Sequence, residues 1–502
     1  MLITILVYLA AMVGIGAVLA KQNQTTDDFY LGGRTLGPLV TAMSAEASDM
    51  SSWLLMGLPG VAYLSGTADA AWTAIGLAIG TYVNWLVVAK RLRNYTHVCG
   101  NSTTLPLFFS NRYRDNKRIL SVIAALLIII FFVPYTASGF AACGKLFANL
   151  FGMDYLPAML ISAIVIVAYT TLGGFLAAST TDFVQSIVMT IAIVVVFGFG
   201  ISKVGSFSAV MDNAKSMAGY FSLTHTHDVA TGTASPYSLL QIFSTLAWGL
   251  GYFGMPHVLL RFMAIGDANK LKLSRRVATV WVVISMAVSV FIGVIGNAMT
   301  KAGVLPTLKD PETIILVVAD LISKHGVLAT IIAGLILAGI LAATMSTADS
   351  QLLAASSSAS QNILKEVFMK DMSEKTGMLI ARITVLVIAL IGVFIARNPD
   401  SSVFQIVSFA WAGFGAAFGP LMLFALFWKR TNMQGALAGM LAGGVMVFVW
   451  KFLIRPMGGA LGIYELLPAF LLGLAVNVIV SLLTPAPSRE VQDEFDKVAS
   501  MK

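Results

Sequence analysis

Thirteen stretches of this chain are apolar for about the 20 residues a helix needs to cross a bilayer. They run 2–21, 37–66, 70–92, 119–149, 155–178, 182–203, 238–264, 276–300, 326–356, 377–396, 402–428, 433–454 and 462–484. In hydrocarbon every backbone N–H and C=O must find its partner inside the chain, which leaves helices or a closed barrel. Runs of this length select helices, so the chain reads as an all-α polytopic membrane protein with 13 transmembrane helices. Charged residues are 11% of it, against about 25% in a typical soluble domain, which excludes a soluble enzyme. Segment 312–324 is shorter and amphipathic, and is expected on the surface ahead of the ninth span. No linker divides the chain. Residues 1–485 form one expected transmembrane domain, and 486–502 a short cytoplasmic tail.

The basic residues orient the bundle. Thirteen spans put the termini on opposite sides. One phase of loops, with the carboxyl terminus, holds 23 of the 32 Lys and Arg, and the other phase 9. The positive-inside rule places the amino terminus outside and the carboxyl terminus in the cytoplasm. The net charge of +8 then reflects cytoplasmic loops and not a nucleic-acid partner. Met1–Lys21 lacks a basic leader and a small-residue cleavage site, so it reads as a retained span. Cys99 and Cys143 make no disulfide framework, and His225, Thr226, His227 and Asp228 read as a solvated loop and not a metal site. No G-x-S-x-G, H-E-x-x-H or Walker pattern appears. An enzyme and a primary pump are thereby set aside.

Polar groups inside the apolar spans carry the chemistry. The second span holds Glu46, Asp49, Ser51 and Ser52, followed by Gly57-Leu58-Pro59-Gly60. A carboxylate at membrane depth costs about 2.5–3.5 kcal/mol on insertion scales and is kept where it lines a pathway. Gly and Pro beside it predict a helix broken near Gly57-Leu58-Pro59, with freed carbonyls to hold an ion. The seventh span carries Trp248-Gly249-Leu250-Gly251-Tyr252-Phe253-Gly254-Met255-Pro256-His257. The two interrupted spans lie five apart, at the starts of two halves of opposite orientation, about 37–203 and 238–428. Paired interruptions of this kind mark the midplane site of an inverted-repeat transporter; two unrelated packing kinks are the competing reading. In the ninth span Ala343, Ser346, Thr347 and Ser350 share a helix face with Asp349 beside them. Hydroxyls and carbonyls are hard ligands suited to a hard cation, and small residues also serve close helix packing. Asp182, opening the sixth span, is either a site residue or a helix cap. Arg34, before the second span, and His257 and Arg261, at the end of the seventh, also read as interfacial anchors.

The passages LGGRTLGP (31–38), SAEASDMSSWLLMGLPG (44–60), TLGGFLAASTTDFVQ (171–185), WGLGYFGMPH (248–257), LAATMSTADSQLL (341–353) and AWAGFGAAFGP (410–420) resemble the sodium:solute symporter family, and within it the sodium/proline symporters. The resemblance runs along nearly the whole chain. It implies a LeuT-like fold of two inverted five-helix repeats, spans two to six and seven to eleven, with one helix before and two after. It implies a sodium site between the second and ninth spans, from the Ala47, Met50 and Ala343 carbonyls and the Ser346 and Thr347 side chains. Asp49 matches a carboxylate tied to sodium dependence, and Arg34 a basic residue tied to coupling. Ser51, Tyr135, Trp248, Tyr252 and Pro256 match a proline pocket. A second sodium is implied near Asp182, Ser346, Asp349 and Ser350. The activity implied is sodium-coupled secondary active uptake of L-proline by alternating access, with sodium co-transported. The setting is a bacterial inner membrane, with lipid around the protein and neither nucleic acid nor an obligate protein partner. Ser52 and Glu46 stand where relatives often carry Gly, and Asp349 where some carry Ser. These departures keep open another small solute: a different amino acid, a monocarboxylate or pantothenate.

Overall fold

A computed structural model describes residues 1–21, 25–369, 372–398 and 402–501. The helices are α1 (Leu2–Ala20), α2 (Thr26–Leu31), α3 (Pro38–Asp49), α4 (Leu58–Ser65), α5 (Thr67–Val83), α6 (Ala89–Val98), α7 (Leu105–Arg112), α8 (Ile119–Phe151), α9 (Tyr155–Val204) and α10 (Phe207–Ser216). A small hairpin, β1 (His225–His227) with β2 (Ala234–Pro236), follows. Then come α11 (Leu239–Leu246), α12 (Pro256–Ala264), α13 (Leu271–Lys301), α14 (Ile314–Ser323), α15 (Val327–Ser357), α16 (Glu374–Ala396), α17 (Val403–Phe427), α18 (Met433–Val449), α19 (Leu466–Leu483) and α20 (Arg489–Ser500). Among the described residues, 10 helices are long and apolar enough to cross a membrane. Three shorter apolar helices, Trp53–Ser65, Tyr155–Ala168 and Leu239–Phe253, accompany them.

Size, more than polarity, sorts the faces of these helices. In α16 the buried positions include Gly377, Ala381, Ala389 and Gly392, while Leu379, Ile383, Leu390 and Phe394 are exposed. A water-soluble helix would be arranged the other way round. Small residues let backbones approach and large apolar ones face lipid. Where α5 meets the irregular turn Ala247–Phe253, a Cβ on Gly249 would run into the backbone of Gly76 and Gly80. At the centre lies α15, every residue of which is buried from Ile336 to Ser357, packed on α8, α9 and α1.

Three expectations are corrected. The second span leaves α-geometry at Met50, and Ser51 has φ of +20°. The chain resumes as a π-helical turn over Trp53–Gly57. Pro59 follows within the same helical run, which continues to Ser65, and Gly57 and Leu58 keep helical φ and ψ, so the chain is not broken there. The fifth and sixth spans join at Gly174 (φ 64°, ψ −175°) inside α9, a conformation glycine adopts without a Cβ penalty. Asp182 therefore lies two turns inside a helix and caps nothing. The 312–324 segment is amphipathic, but α14 sinks Ile314, Ile315, Leu316, Val318, Ala319 and Ile322 into the protein. Residues 486–502 carry α20, which buries Val491, Phe495 and Val498, and Arg114 pairs with Glu490 and Glu494.

Candidate functional site

The end of α3 faces α15. Ser346 Oγ donates to the Ala47 carbonyl at 2.8 Å and lies 3.2 Å from the Ala343 carbonyl, which also accepts from Thr347 Oγ1 at 3.0 Å. Ser346 and Thr347 reach the same carbonyl because i−3 and i−4 stack on one helix face. Four of the five oxygens expected around sodium thus converge. The fifth, the Met50 carbonyl, accepts from Leu54 N–H at 3.1 Å. All five residues are buried. Neutral oxygens from hydroxyls and carbonyls, with a carboxylate two residues on, fit a hard monovalent cation and offer no soft ligand.

The same short stretch walls a cavity. Asp49, Met50, Trp53, Leu77, Tyr135, Trp248, Val407 and Trp411 enclose about 10 Å³, room for about one water. Asp49 Oδ2 accepts from the Tyr252 hydroxyl at 2.5 Å, and the Asp49 carbonyl accepts from the Tyr135 hydroxyl at 3.3 Å. Asp49 Oδ1 has no partner among the described residues. Ser51 Oγ accepts from Trp53 N–H at 3.0 Å. Trp411 Nε1 donates to the Trp248 carbonyl at 2.8 Å, which fixes the irregular turn before α12. Of the expected pocket residues, Tyr135 and Trp248 line the cavity, and Ser51 and Tyr252 bond to its walls. Pro256 does not reach it; it begins α12. Trp53, Leu77, Val407 and Trp411 are wall residues that the sequence did not point out. The first and last lie in the quoted passages, where an aromatic reads as an ordinary apolar residue. Glu46 accepts from Trp85 Nε1 at 2.8 Å.

Aromatic rings separate this cavity from two larger ones. Phe404 stacks on Trp53 at 6.3 Å and tilts against Trp248 at 5.6 Å, ring centre to ring centre. Phe404 also borders cavities of about 350 Å³ and 440 Å³. Its place is set by Glu312, whose carboxylate accepts from Lys145 Nζ, Ser402 Oγ and the N–H groups of Val403 and Phe404. That carboxylate caps α17 and matches its dipole. A cavity of about 900 Å³ borders Arg118, while the 440 Å³ cavity borders Lys145. Arg118 immediately precedes α8 and Lys145 lies 27 residues on, a separation of about 40 Å, so the cavities flank the site from opposite ends.

A buried ionic cluster lies one turn along α15. Arg261 Nη2 lies 3.1 Å from Asp182 Oδ2 and 2.5 Å from Ser350 Oγ, while its Nε donates to Ser44 Oγ at 3.0 Å. Ser350 Oγ also lies 3.1 Å from Asp349 Oδ1. The residues expected to hold a second sodium do come together, but around a guanidinium. Arg261 and His257, read as interfacial, are 1% and 0% exposed; Arg261 centres the cluster, and its Nη1 donates to the His257 carbonyl at 3.0 Å. Arg34 is no loose anchor either. It donates to the Met263 and Ser102 carbonyls at 2.7 Å and to Asn101 Oδ1 at 3.1 Å, tying α12 to the α6–α7 loop. Burial, with Arg93 nearby, lowers its pKa to about 10, so it remains a cation at neutral pH.

The sequence pattern of the sodium:solute symporter family matches residues 29–443. The chain is 42% identical over 502 residues to the sodium/proline symporter of Haemophilus influenzae, covering 99% of this chain and 97% of that one. It is 40% identical over 489 residues to the osmoregulated proline transporter OpuE of Bacillus subtilis, covering 97% and 96%. A Na+-coupled sialic acid symporter, solved in a substrate-bound outward-open state, superposes with a TM-score of 0.78 at 19% identity, covering 97% and 98%. That likeness shows a shared LeuT-like helical fold.

Proposed function

The chain belongs to the sodium:solute symporter family, and from that premise we propose that it takes up L-proline coupled to sodium by alternating access. One observation carries the reading. The Ala47–Met50 stretch belongs to both sites at once, with Ala47 bonded to Ser346 on the ion side and Asp49 bonded to Tyr252 on the cavity side. An ion drawn between Ala47, Met50, Ala343, Ser346 and Thr347 fixes the end of α3. That fixed end, with Ser51, Tyr135, Trp248 and Tyr252, completes a pocket for the solute. A pyrrolidine ring suits aromatic walls, and its carboxylate suits free N–H groups at a half-helix terminus. The 10 Å³ cavity is too small for that solute, so Phe404 and its partners have to part before it enters. Asp49 links ion to solute, and Arg34 holds the inner side closed. Asp182, Asp349 and Ser350 form a second cation place, with Arg261 within it.

Further readings belong to the same proposal. The 10 long and three short apolar helices support 13 spans. The matching breaks before α4 and α12 support repeats over about 37–203 and 238–428, in a domain of residues 1–485 with a cytoplasmic tail. The loop charges support an amino terminus outside and a carboxyl terminus inside, in a bacterial inner membrane. The relatives' names support proline. Ser52, a buried residue where relatives often carry Gly, keeps open the second reading: another amino acid, a monocarboxylate or pantothenate. One charge moving down 100 mV yields about 2.3 kcal/mol, and a tenfold sodium gradient about 1.4 kcal/mol. One sodium then sustains an accumulation of about 500-fold. Labelled proline uptake into proteoliposomes, driven by sodium and challenged with other amino acids, monocarboxylates and pantothenate, tests the reading. Sodium-driven uptake that only proline competes for supports it; uptake indifferent to sodium refutes it.

A further inference from the structure

Two carboxyl groups on α3 reach away from the ion site it shares with α15. Glu46 and Asp49 lie one helical turn apart and are 1% and 5% exposed. Glu46 Oε1 accepts from Trp85 Nε1, and Asp49 Oδ2 from the Tyr252 hydroxyl. Their other oxygens, Glu46 Oε2 and Asp49 Oδ1, have no hydrogen-bond partner among the described residues. Neither carboxyl group joins an ion pair among those residues. Two more such oxygens come from the next span. Thr81, near the end of α5, and Asn84, which opens the π-helical turn 84–88, are again one turn apart and buried. Thr81 Oγ1 and Asn84 Oδ1 also lack a hydrogen-bond partner among the described residues.

Tyr252 and Trp85 bring the two pairs to one place. Asn84 Nδ2 donates to the Tyr252 carbonyl at 3.1 Å, and its neighbour Trp85 holds Glu46. The Tyr252 hydroxyl bonds to Asp49, lies within electrostatic reach of Glu46 and sits beside Thr81. A buried polar oxygen with no donor is costly, and a buried carboxylate with no cation more so. A single water carries no charge and has only two hydrogens to share among these oxygens. A cation serves all of them at once. The donors are hard oxygens, with no sulfur or ring nitrogen among them, and so select a hard cation. Calcium takes about 6–8 oxygens, and magnesium keeps several of its waters. Four protein oxygens in a buried place suit a monovalent cation better.

We propose that Glu46, Asp49, Thr81 and Asn84 hold a sodium ion of their own, separate from the one drawn between α3 and α15. Ala47 and Met50 meet that other ion through backbone carbonyls, whereas Glu46 and Asp49 meet this one through side chains. The end of α3 is then held by a cation on each side. The inference does not depend on which solute the chain carries.

The test counts radioactive sodium bound at saturation by the purified full chain, with no solute present. Glu46→Gln keeps the shape of the side chain and removes its charge, and is expected to bind one sodium fewer than wild type. Thr81→Val exchanges a hydroxyl for a methyl group, and is expected to weaken one class of sodium sites about tenfold. An equal count in wild type and Glu46→Gln overturns the proposal and leaves water as the guest. If Glu46→Gln does not fold, Thr81→Val decides, and sodium binding like that of wild type overturns the proposal. Ser346→Ala reports separately on the ion between α3 and α15. Weakened binding in Ser346→Ala alone upholds the proposed function and overturns this site; loss in Glu46→Gln alone upholds this site and counts against the other.

Discussion

Replacing Tyr252 by Phe removes one hydroxyl from the junction between ion and solute. Asp49 is 5% exposed, and its Oδ2 accepts from that hydroxyl at 2.5 Å. Oδ1 has no partner among the described residues. Phe keeps the ring and its edge-on contact with Trp411 at 5.0 Å, so the packing survives and the loss is confined to one bond. A hydrogen bond to a charged group is worth about 1.5–3 kcal/mol, which converts to about 10- to 150-fold in an equilibrium constant. The backbone of the same segment carries the Ala47 carbonyl, so the cost is expected in the half-saturating sodium concentration as well as in the KM for solute. The assay is initial uptake of labelled proline into proteoliposomes over a sodium titration, on protein shown to be folded by size-exclusion chromatography. A half-saturating sodium concentration within about threefold of wild type refutes the reasoning, because Asp49 would then not depend on Tyr252 for its position.

Ser346→Ala removes the hydroxyl that reaches Ala47, and is expected to raise half-saturating sodium about tenfold while Thr347→Ala adds to it; sodium titration of uptake reads both. Arg261→Leu strands Asp182 in a buried site, a change that costs about 3–5 kcal/mol when one partner of a buried pair is lost. A large fall in melting temperature is expected, and joint replacement of Asp182 by Leu should recover much of it. Phe495→Ala removes the ring that faces the Arg91 and Arg112 guanidinium groups at 4.8 and 5.5 Å. Each contact is worth about 0.5–1 kcal/mol, so limited proteolysis should cut the tail faster in this variant while sodium-dependent uptake persists.

Much of the bundle was legible because hydrocarbon imposes one rule, internal satisfaction of the backbone, and apolar length reports it. The polar face of α15 was legible for the same reason, since Ser346, Thr347, Ser350 and Asp349 recur at helical spacing on an otherwise apolar run. Breaks were harder. Gly57 and Pro59 drew attention, yet the backbone turns at Met50 and Ser51: the helix runs on through Gly57 and Leu58 by way of a π-turn, and the tertiary bonds to Ala47 and Asp49 lie where α3 ends. Gly174 was hidden by Gly173 and by many other glycines in apolar runs. Partners distant in sequence were not legible: nothing local says that Arg261 meets Asp182, that Tyr252 meets Asp49, or that Arg34 crosses to Met263. The α20 helix was missed because twelve residues after a span read as a tail until Phe495 and Val498 are seen to dock.

On the proposed mechanism, sodium and solute move as one because they share the end of α3. The most direct test is the steady-state proline accumulation ratio in proteoliposomes as the imposed sodium gradient is varied at fixed membrane potential. The ratio is expected to rise tenfold for each tenfold step in the gradient per sodium carried, and to fall to one when potassium replaces sodium and the potential is abolished. A ratio that stays flat across the sodium series contradicts it.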